Sequence, residues 1–139
     1  MRGLLNWFLS VRTTSLDIAI LIIRLPAGLF LMQYGYEKFS KYSEWSADFP
    51  DPLGVGSPLS LALCISAELF AAGLLALGLF TRFALVPLMF NMTVVAFIIH
   101  ANDPMRQKEH AFTFLFIFIA LFLMGPGKYS VDNLFLKKS

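Results

Sequence analysis

Four runs of about 20 apolar residues, each long enough to cross a hydrocarbon layer about 30 Å thick, take up most of this chain. They fall at residues 16–38, 57–79, 83–101 and 110–126. Lipid offers no partner to a bare amide, so each run must close its backbone hydrogen bonds within a helix. Composition agrees: 58% of residues are hydrophobic, 14% are charged, and 15 of 139 are Phe. One soluble core in a chain this short saturates well below such apolar content. The expected fold class is therefore all-α membrane, a four-transmembrane-helix bundle with a short N-terminal amphipathic helix and a longer outer loop between helices 1 and 2.

Residues 1–14 form the expected interfacial segment. Leu4, Trp7, Phe8 and Val11 recur at helical spacing between Arg2 and Arg12, the pattern of a helix lying on a membrane surface. A longer first span is the alternative. Residues 15–139 read as one transmembrane domain. No small-residue cleavage site follows a short apolar core, so the first span is expected to be retained. Pro50, Pro52, Gly54, Gly56 and Pro58 break any helix in the loop 39–58. Trp45 and Phe49 there are spaced to lay half a turn on the interface. The Thr81-Arg82 link is so short that spans two and three must be antiparallel neighbours. Arg2, Arg12, Arg82, Lys128, Lys137 and Lys138 fall on the side of the termini, against Lys38, Lys41, Arg106 and Lys108 on the other. That bias puts both termini in the cytoplasm.

Several function classes drop out. A net charge of +2, with the basic residues scattered, does not make a nucleic-acid surface. A single cysteine, Cys64, rules out an internal disulfide and a CxxC dithiol cycle. The acidic and imidazole groups near the outer end match no metal-binding spacing, so no metal is expected. A transporter has little support, because no pair of broken half-helices is evident.

What remains is a set of polar side chains inside the spans. At a rise of about 1.5 Å per residue, Arg24 lies about 12 Å from the inner face, Glu68 about 13 Å and Asn91 about 12 Å. Charged groups at such depth rarely lack a partner or a purpose. An Arg24–Glu68 pair with Asn91 beside it is the expected arrangement. It either fixes helix register or lines a small-molecule cavity. Gly28 and Gly35, on one face with Arg24, offer a close approach to a neighbouring helix. Cys64 precedes Glu68 by one turn on the same face. A second polar level near the outer end holds Gln33 and His100, about 25 Å up, with Glu37, Asp103, Glu109 and His110 at the boundary. His and carboxylate groups in proximity can relay protons to a quinone headgroup. On a straight helix, however, Asn91 and His100 point to opposite faces. Span four, with Phe112, Phe114, Phe116, Phe118 and Phe122, is apolar all round and is expected to face lipid or another subunit.

These residues bring a family with them. Arg24-Leu-Pro-Ala-Gly28-Leu-Phe30 and Gly35-Tyr-Glu-Lys38-Phe39 resemble the first-helix signature of the DoxX family. Glu68-Leu-Phe-Ala-Ala-Gly73 and Gly78-Leu-Phe-Thr-Arg82 are similar to its second helix and tight turn. Pro87-Leu, His100 and Gly125-Pro-Gly-Lys-Tyr-Ser-Val-Asp132 match the remaining blocks, from about residue 15 onward. Arg24, Gly35, Lys38, Glu68, Arg82 and Lys128 match residue by residue.

The resemblance implies a four-helix protein of the bacterial inner (plasma) membrane carrying an oxidoreductase label. That label descends from a similar subunit of an archaeal thiosulfate:quinone oxidoreductase and from members working beside thiol-stress and superoxide-handling proteins. Other relatives act as assembly factors or cargo receptors, so fold likeness does not fix activity. The chain carries no dithiol, haem-binding His pair or flavin fingerprint, which implies a subunit of a membrane redox system rather than a self-contained enzyme. The expected ligand is quinone-type. Glu68 and Arg24 are the candidate catalytic pair, and Arg24, Gly28, Gly35, Cys64, Glu68, Asn91, His100 and Gln33 are the candidate binding residues. Expected partners are the lipid bilayer, other redox subunits, and a second copy through helix 4. The alternative is a non-catalytic scaffold for other membrane proteins.

Overall fold

A computed structural model of the chain describes residues 13–137. The expected interfacial helix falls mostly outside them, and Thr13 and Thr14 already belong to the first span. Helix α1 (Thr13–Ser40) runs unbroken through Pro26. A four-residue turn, α2 (Tyr42–Trp45), follows at the start of the long loop. Then come α3 (Ser57–Leu77), α4 (Thr81–Ile99) and α5 (Met105–Met124), and a short C-terminal α6 (Val131–Leu136). Helices α1, α3, α4 and α5 are long and apolar enough to cross a membrane, and among the described residues there is no strand.

Small residues set the packing. A Cβ added to Gly28 would stand 2.8 Å from the Ala72 carbonyl oxygen, and one added to Gly35 would stand 2.6 Å from the Leu69 nitrogen. The α1 and α3 backbones therefore meet along the line drawn by Gly28, Gly35, Ala72 and Ala76. Without a hydrophobic drive between helices in lipid, such close backbone approach supplies the adhesion. Helix α4 packs on α3 and α5, and α5 closes the ring against α1. Ala111, Leu115, Phe118 and Leu121 form the buried stripe of α5. The fourth span is therefore not uniform around its circumference. Phe118 is fully buried and Phe114 and Phe122 pack against the core, whereas Phe116, Ile119 and Leu123 point outward.

The tight turn after α3 shows why its residues are needed. Leu79 N–H donates to the Leu74 carbonyl at 2.9 Å and Gly78 N–H to that of Leu75 at 3.0 Å. This double bond pattern ends a helix on a left-handed residue, here Gly78 at φ 71°. Phe80 also adopts positive φ, 48°, an uncommon state for a bulky side chain. It is held there from outside. Asp132 accepts the Phe80 N–H at 2.7 Å, the Thr81 N–H at 2.9 Å and the Thr81 hydroxyl at 2.8 Å. A carboxylate from the far end of the chain thus caps the start of α4.

Among the described residues two stretches depart from regular α-helix: Ser66–Ala71 within α3 and Val95–Ile99 within α4 are π-helical. Both lie against the feature described next.

Candidate functional site

Among the described residues Arg24 is the most withdrawn charge, 1% exposed, yet it does not meet Glu68. Its Nη1 donates to the Pro126 carbonyl at 2.5 Å and its Nη2 to that of Tyr129 at 2.8 Å. Asp17 Oδ1 accepts the Lys128 N–H at 3.1 Å nearby. Arg24 thus lies beside Gly78, level with the α3–α4 turn, and clasps the C-terminal segment across that end of the bundle. The expected pair fails for a geometric reason. Helix α1 has 28 residues and is about 42 Å long, so hydropathy alone could not say which residue meets the lipid boundary. Arg24 lies nearer that boundary, beside Gly78, than a rise counted from Leu16 predicts.

Glu68 instead pairs with Lys38, Nζ to Oε2 at 2.5 Å. Asn91 Nδ2 donates to its Oε1 at 3.1 Å, and the Cys64 thiol to the same oxygen at 3.4 Å. Three helices contribute. Gly35 permits this, because it lets α1 lie directly on the Glu68–Leu69 backbone. One turn further on, Lys38 leans toward its own N-terminus, as helical side chains do, and so reaches the carboxylate. Charge, acceptors and donors are satisfied together, which is what a buried ion needs.

The cluster is not sealed in protein. It forms one wall of a cavity of about 470 Å³, within the usual range for small-molecule sites, whose remaining lining is mostly apolar. Phe49, Pro50, Pro52 and Leu53 of the long loop form its roof. Asp51 ties that roof down, accepting the Val55 N–H at 3.0 Å, the Gly56 N–H at 2.8 Å and the Ser60 hydroxyl at 2.7 Å. The Ser60 hydroxyl first, and the Gly56 N–H after it, hold the Asp51 carboxyl below the ordinary aspartate range.

Asn91 and His100 both line this cavity, although a straight helix would set them on opposite faces. The π-helical stretch Val95–Ile99 lies between them, closed by His100 N–H donating to the Val95 carbonyl at 3.0 Å. A wider turn rotates less per residue, so it swings His100 back toward Asn91. His100 Nδ1 stands 2.6 Å from Asp103 Oδ2. A carboxylate only accepts, so this contact places the proton on Nδ1 in the neutral ring and leaves Nε2 as an acceptor.

Of the expected binding residues, Cys64, Glu68, Asn91 and His100 line one cavity. Gly28 and Gly35 serve the α1–α3 contact, Gln33 is exposed on the outside of α1, and Arg24 belongs to the opposite end. The residue missed as a partner is Lys38. Its signal was present in the stripe Arg24, Gly28, Leu31, Gly35, Lys38, whose spacing of four, three, four and three keeps one helix face.

Four apolar helices around a cavity with a buried ion pair define a multi-pass membrane protein in contact with the lipid bilayer, built as a small four-helix bundle. The DoxX family model matches residues 19–101, more than half of the chain and every member of the Glu68 cluster, so the protein belongs to the DoxX family. It is 26% identical over 129 residues to an uncharacterized protein of Haemophilus influenzae, covering 86% of this chain and 85% of that one. No solved structure matches.

Proposed function

We propose that the protein is a quinone-binding subunit of a membrane redox system, set in a bacterial inner membrane with both termini in the cytoplasm. The observation that carries this reading is the Lys38–Glu68–Asn91 cluster facing an otherwise apolar cavity. The residues fit a quinone: two donors beside one proton-holding carboxylate, with apolar walls for ring and chain. A bound quinone supplies two-electron, two-proton redox chemistry, with electrons arriving from a partner redox subunit. Lys38 Nζ and Asn91 Nδ2 orient a carbonyl oxygen. Glu68 holds or releases a proton at Oε2, and Lys38 keeps that carboxylate in place. Further along α4 His100, steadied by Asp103, exchanges a proton with the loop-side surface.

Protein purified in mild detergent is expected to carry extractable quinone and to bind decylubiquinone. Glu68→Gln should weaken that binding at least about tenfold, the loss of one good charged hydrogen bond. Absence of quinone from the preparation, together with unchanged decylubiquinone titrations in the variant, would remove this reading.

A second reading, a scaffold that docks other membrane proteins or a second copy, draws on the outward face of α5, the least buried of the four spans. Its test belongs on Phe116, Ile119 and Leu123, since replacing Phe118 opens the core. Alanine at those three positions should abolish co-purification of a partner while leaving decylubiquinone binding intact. Undiminished co-purification would count against the scaffold.

A further inference from the structure

We infer that the cavity takes its ligand sideways from the lipid, through a mouth between α3 and α4. Its ligand class is then an amphiphile with a compact polar head and an apolar body, not a solute arriving from water. This rests on the reading that the cavity is a ligand site, and adds the route and the class.

Helices α3 and α4 are joined by the turn at Gly78–Phe80, and they stay together only in that half of the bundle. Residues Ser66–Leu77 of α3 pack on Thr81–Val94 of α4, whereas Ser57–Ile65 packs on α1 and on its own π-helical stretch. Beyond Glu68 the two helices part company. The cavity occupies that space, with Leu63, Cys64 and Ala67 on one wall and Pro87, Phe90, Asn91 and Val94 on the other.

Leu63 and Phe90 each line the cavity and yet are 51% and 57% exposed. Large side chains on membrane-crossing helices that line a cavity while staying more than half exposed stand at its rim. Leu63 is six residues into α3, about 9 Å below its loop end. Phe90 is nine residues into α4, about 13 Å from the turn end. Both depths fall inside the hydrocarbon, not at the headgroups. Polarity rises inward from the two apolar lips, through Cys64 to Glu68, Asn91 and Lys38. The water-facing side is covered by the loop that Asp51 fastens to Gly56 and Ser60. A charged solute reaching the lips would first have to leave water for hydrocarbon, at a cost of several kcal/mol. A lipid-dissolved amphiphile meets no such barrier.

Cys64 is the only cysteine of the chain and lies within the lips, so it reports the route. In proteoliposomes, lipid-soluble N-phenylmaleimide is expected to alkylate Cys64. The charged reagent 2-sulfonatoethyl methanethiosulfonate, applied on either side, should leave it untouched. Leu63→Trp, which fills the mouth, should slow alkylation about tenfold or more, and Phe90→Ala should speed it. Modification of wild-type Cys64 by the charged reagent, or alkylation indifferent to both lip variants, overturns the proposal.

If the thiol proves inert to both reagents, a lipid-soluble aryl diazirine decides. Asn91 and Val95 line the cavity and are half-buried, so carbene insertion there that falls in Leu63→Trp reports passage through the mouth, and no insertion, or insertion unchanged in Leu63→Trp, overturns the proposal. Decylubiquinone binding is measured separately on the same samples. A shut mouth with intact binding leaves the quinone reading standing; an open mouth with no binding removes the quinone while keeping the route.

Discussion

Arg24 and Glu68 are both charged, both nearly withdrawn from the surface, and both on membrane-crossing helices, yet they are held in opposite ways. Arg24 gives its guanidinium to main-chain carbonyls of Pro126 and Tyr129. Those acceptors are fixed by the turn Gly125–Pro126–Gly127 and cannot change protonation. Glu68 is held by side chains alone, from Lys38, Asn91 and Cys64, and each has room to move because a cavity adjoins them. A charge spent on backbone groups locks a chain segment. A charge held by side chains beside a void remains available to a ligand. The two ends of the bundle thus divide the work of fastening and binding.

The largest expected effect is on the fastened end. Arg24→Leu leaves two partly buried carbonyls without donors and releases residues 125–136, at a cost of roughly 3–5 kcal/mol. Thermal unfolding in dodecyl maltoside should show a steep loss of folded protein. What remains folded should bind decylubiquinone as wild type does. Normal stability in this variant would break the contrast between the two regions.

Next comes the contact between them. Gly35→Ala pushes a methyl group into the Leu69 nitrogen and must part α1 from α3, carrying Lys38 away from Glu68. Gly73→Ala is the control, since a Cβ there meets only the Met32 thioether at 3.6 Å. Overpacking of a tight site costs about 1–3 kcal/mol. The expected outcome is a lowered melting midpoint with weakened binding for Gly35→Ala, and neither for Gly73→Ala. Equal behaviour of the two would mean that the α1–α3 contact does not position the cluster.

The cluster itself should respond differently from Arg24. Replacing both partners, Lys38→Met with Glu68→Leu, removes charge and counter-charge together. Such double changes are often neutral for stability, whereas stripping one partner from a buried pair costs roughly 3–5 kcal/mol. Lys38→Met alone should therefore melt earlier than the double variant, while both lose ligand binding. A double variant as unstable as Lys38→Met would place the pair with the fastening groups.

How much of this was legible beforehand follows from the same physics. Lipid leaves a long apolar run one option, so the four spans and the antiparallel turn at Thr81-Arg82 could be read directly. Gly28 and Gly35 could be read as a contact face, because only a bare backbone allows such approach. The exchange of partners could not. Arg24, Lys38 and Glu68 lie on the correct faces, but their relative height depends on where α1 meets the boundary, and a helix longer than the bilayer hides that. Two further features depend on tertiary placement: the π-helical stretch that turns His100 inward, and the folding of Phe49 and Leu53 over the cavity. The loop's prolines and glycines announced a break but not its direction.

The smallest expected effect separates the ends by pH. Burial alone pushes the Asp132 carboxyl upward, but the Thr81 N–H and hydroxyl, the Phe80 N–H and nearby Arg24 outweigh it, so its pKa lies below the ordinary aspartate value. A carboxylate whose folded pKa is depressed contributes stability above its unfolded value, near 3.9, and loses it as pH falls through the folded one. Wild type should thus exceed Asp132→Asn by a few degrees in melting midpoint at pH 7. The two should converge as pH falls below about 4. Asp51 is depressed in the same way by Ser60 and Gly56, but it holds the roof and not the fastened end. Asp51→Asn should accordingly leave the midpoint near wild type while admitting the charged thiol reagent to Cys64 at neutral pH. A roof variant that melts like Asp132→Asn, with Cys64 still shielded, would mean that the loop braces the bundle instead of covering the cavity.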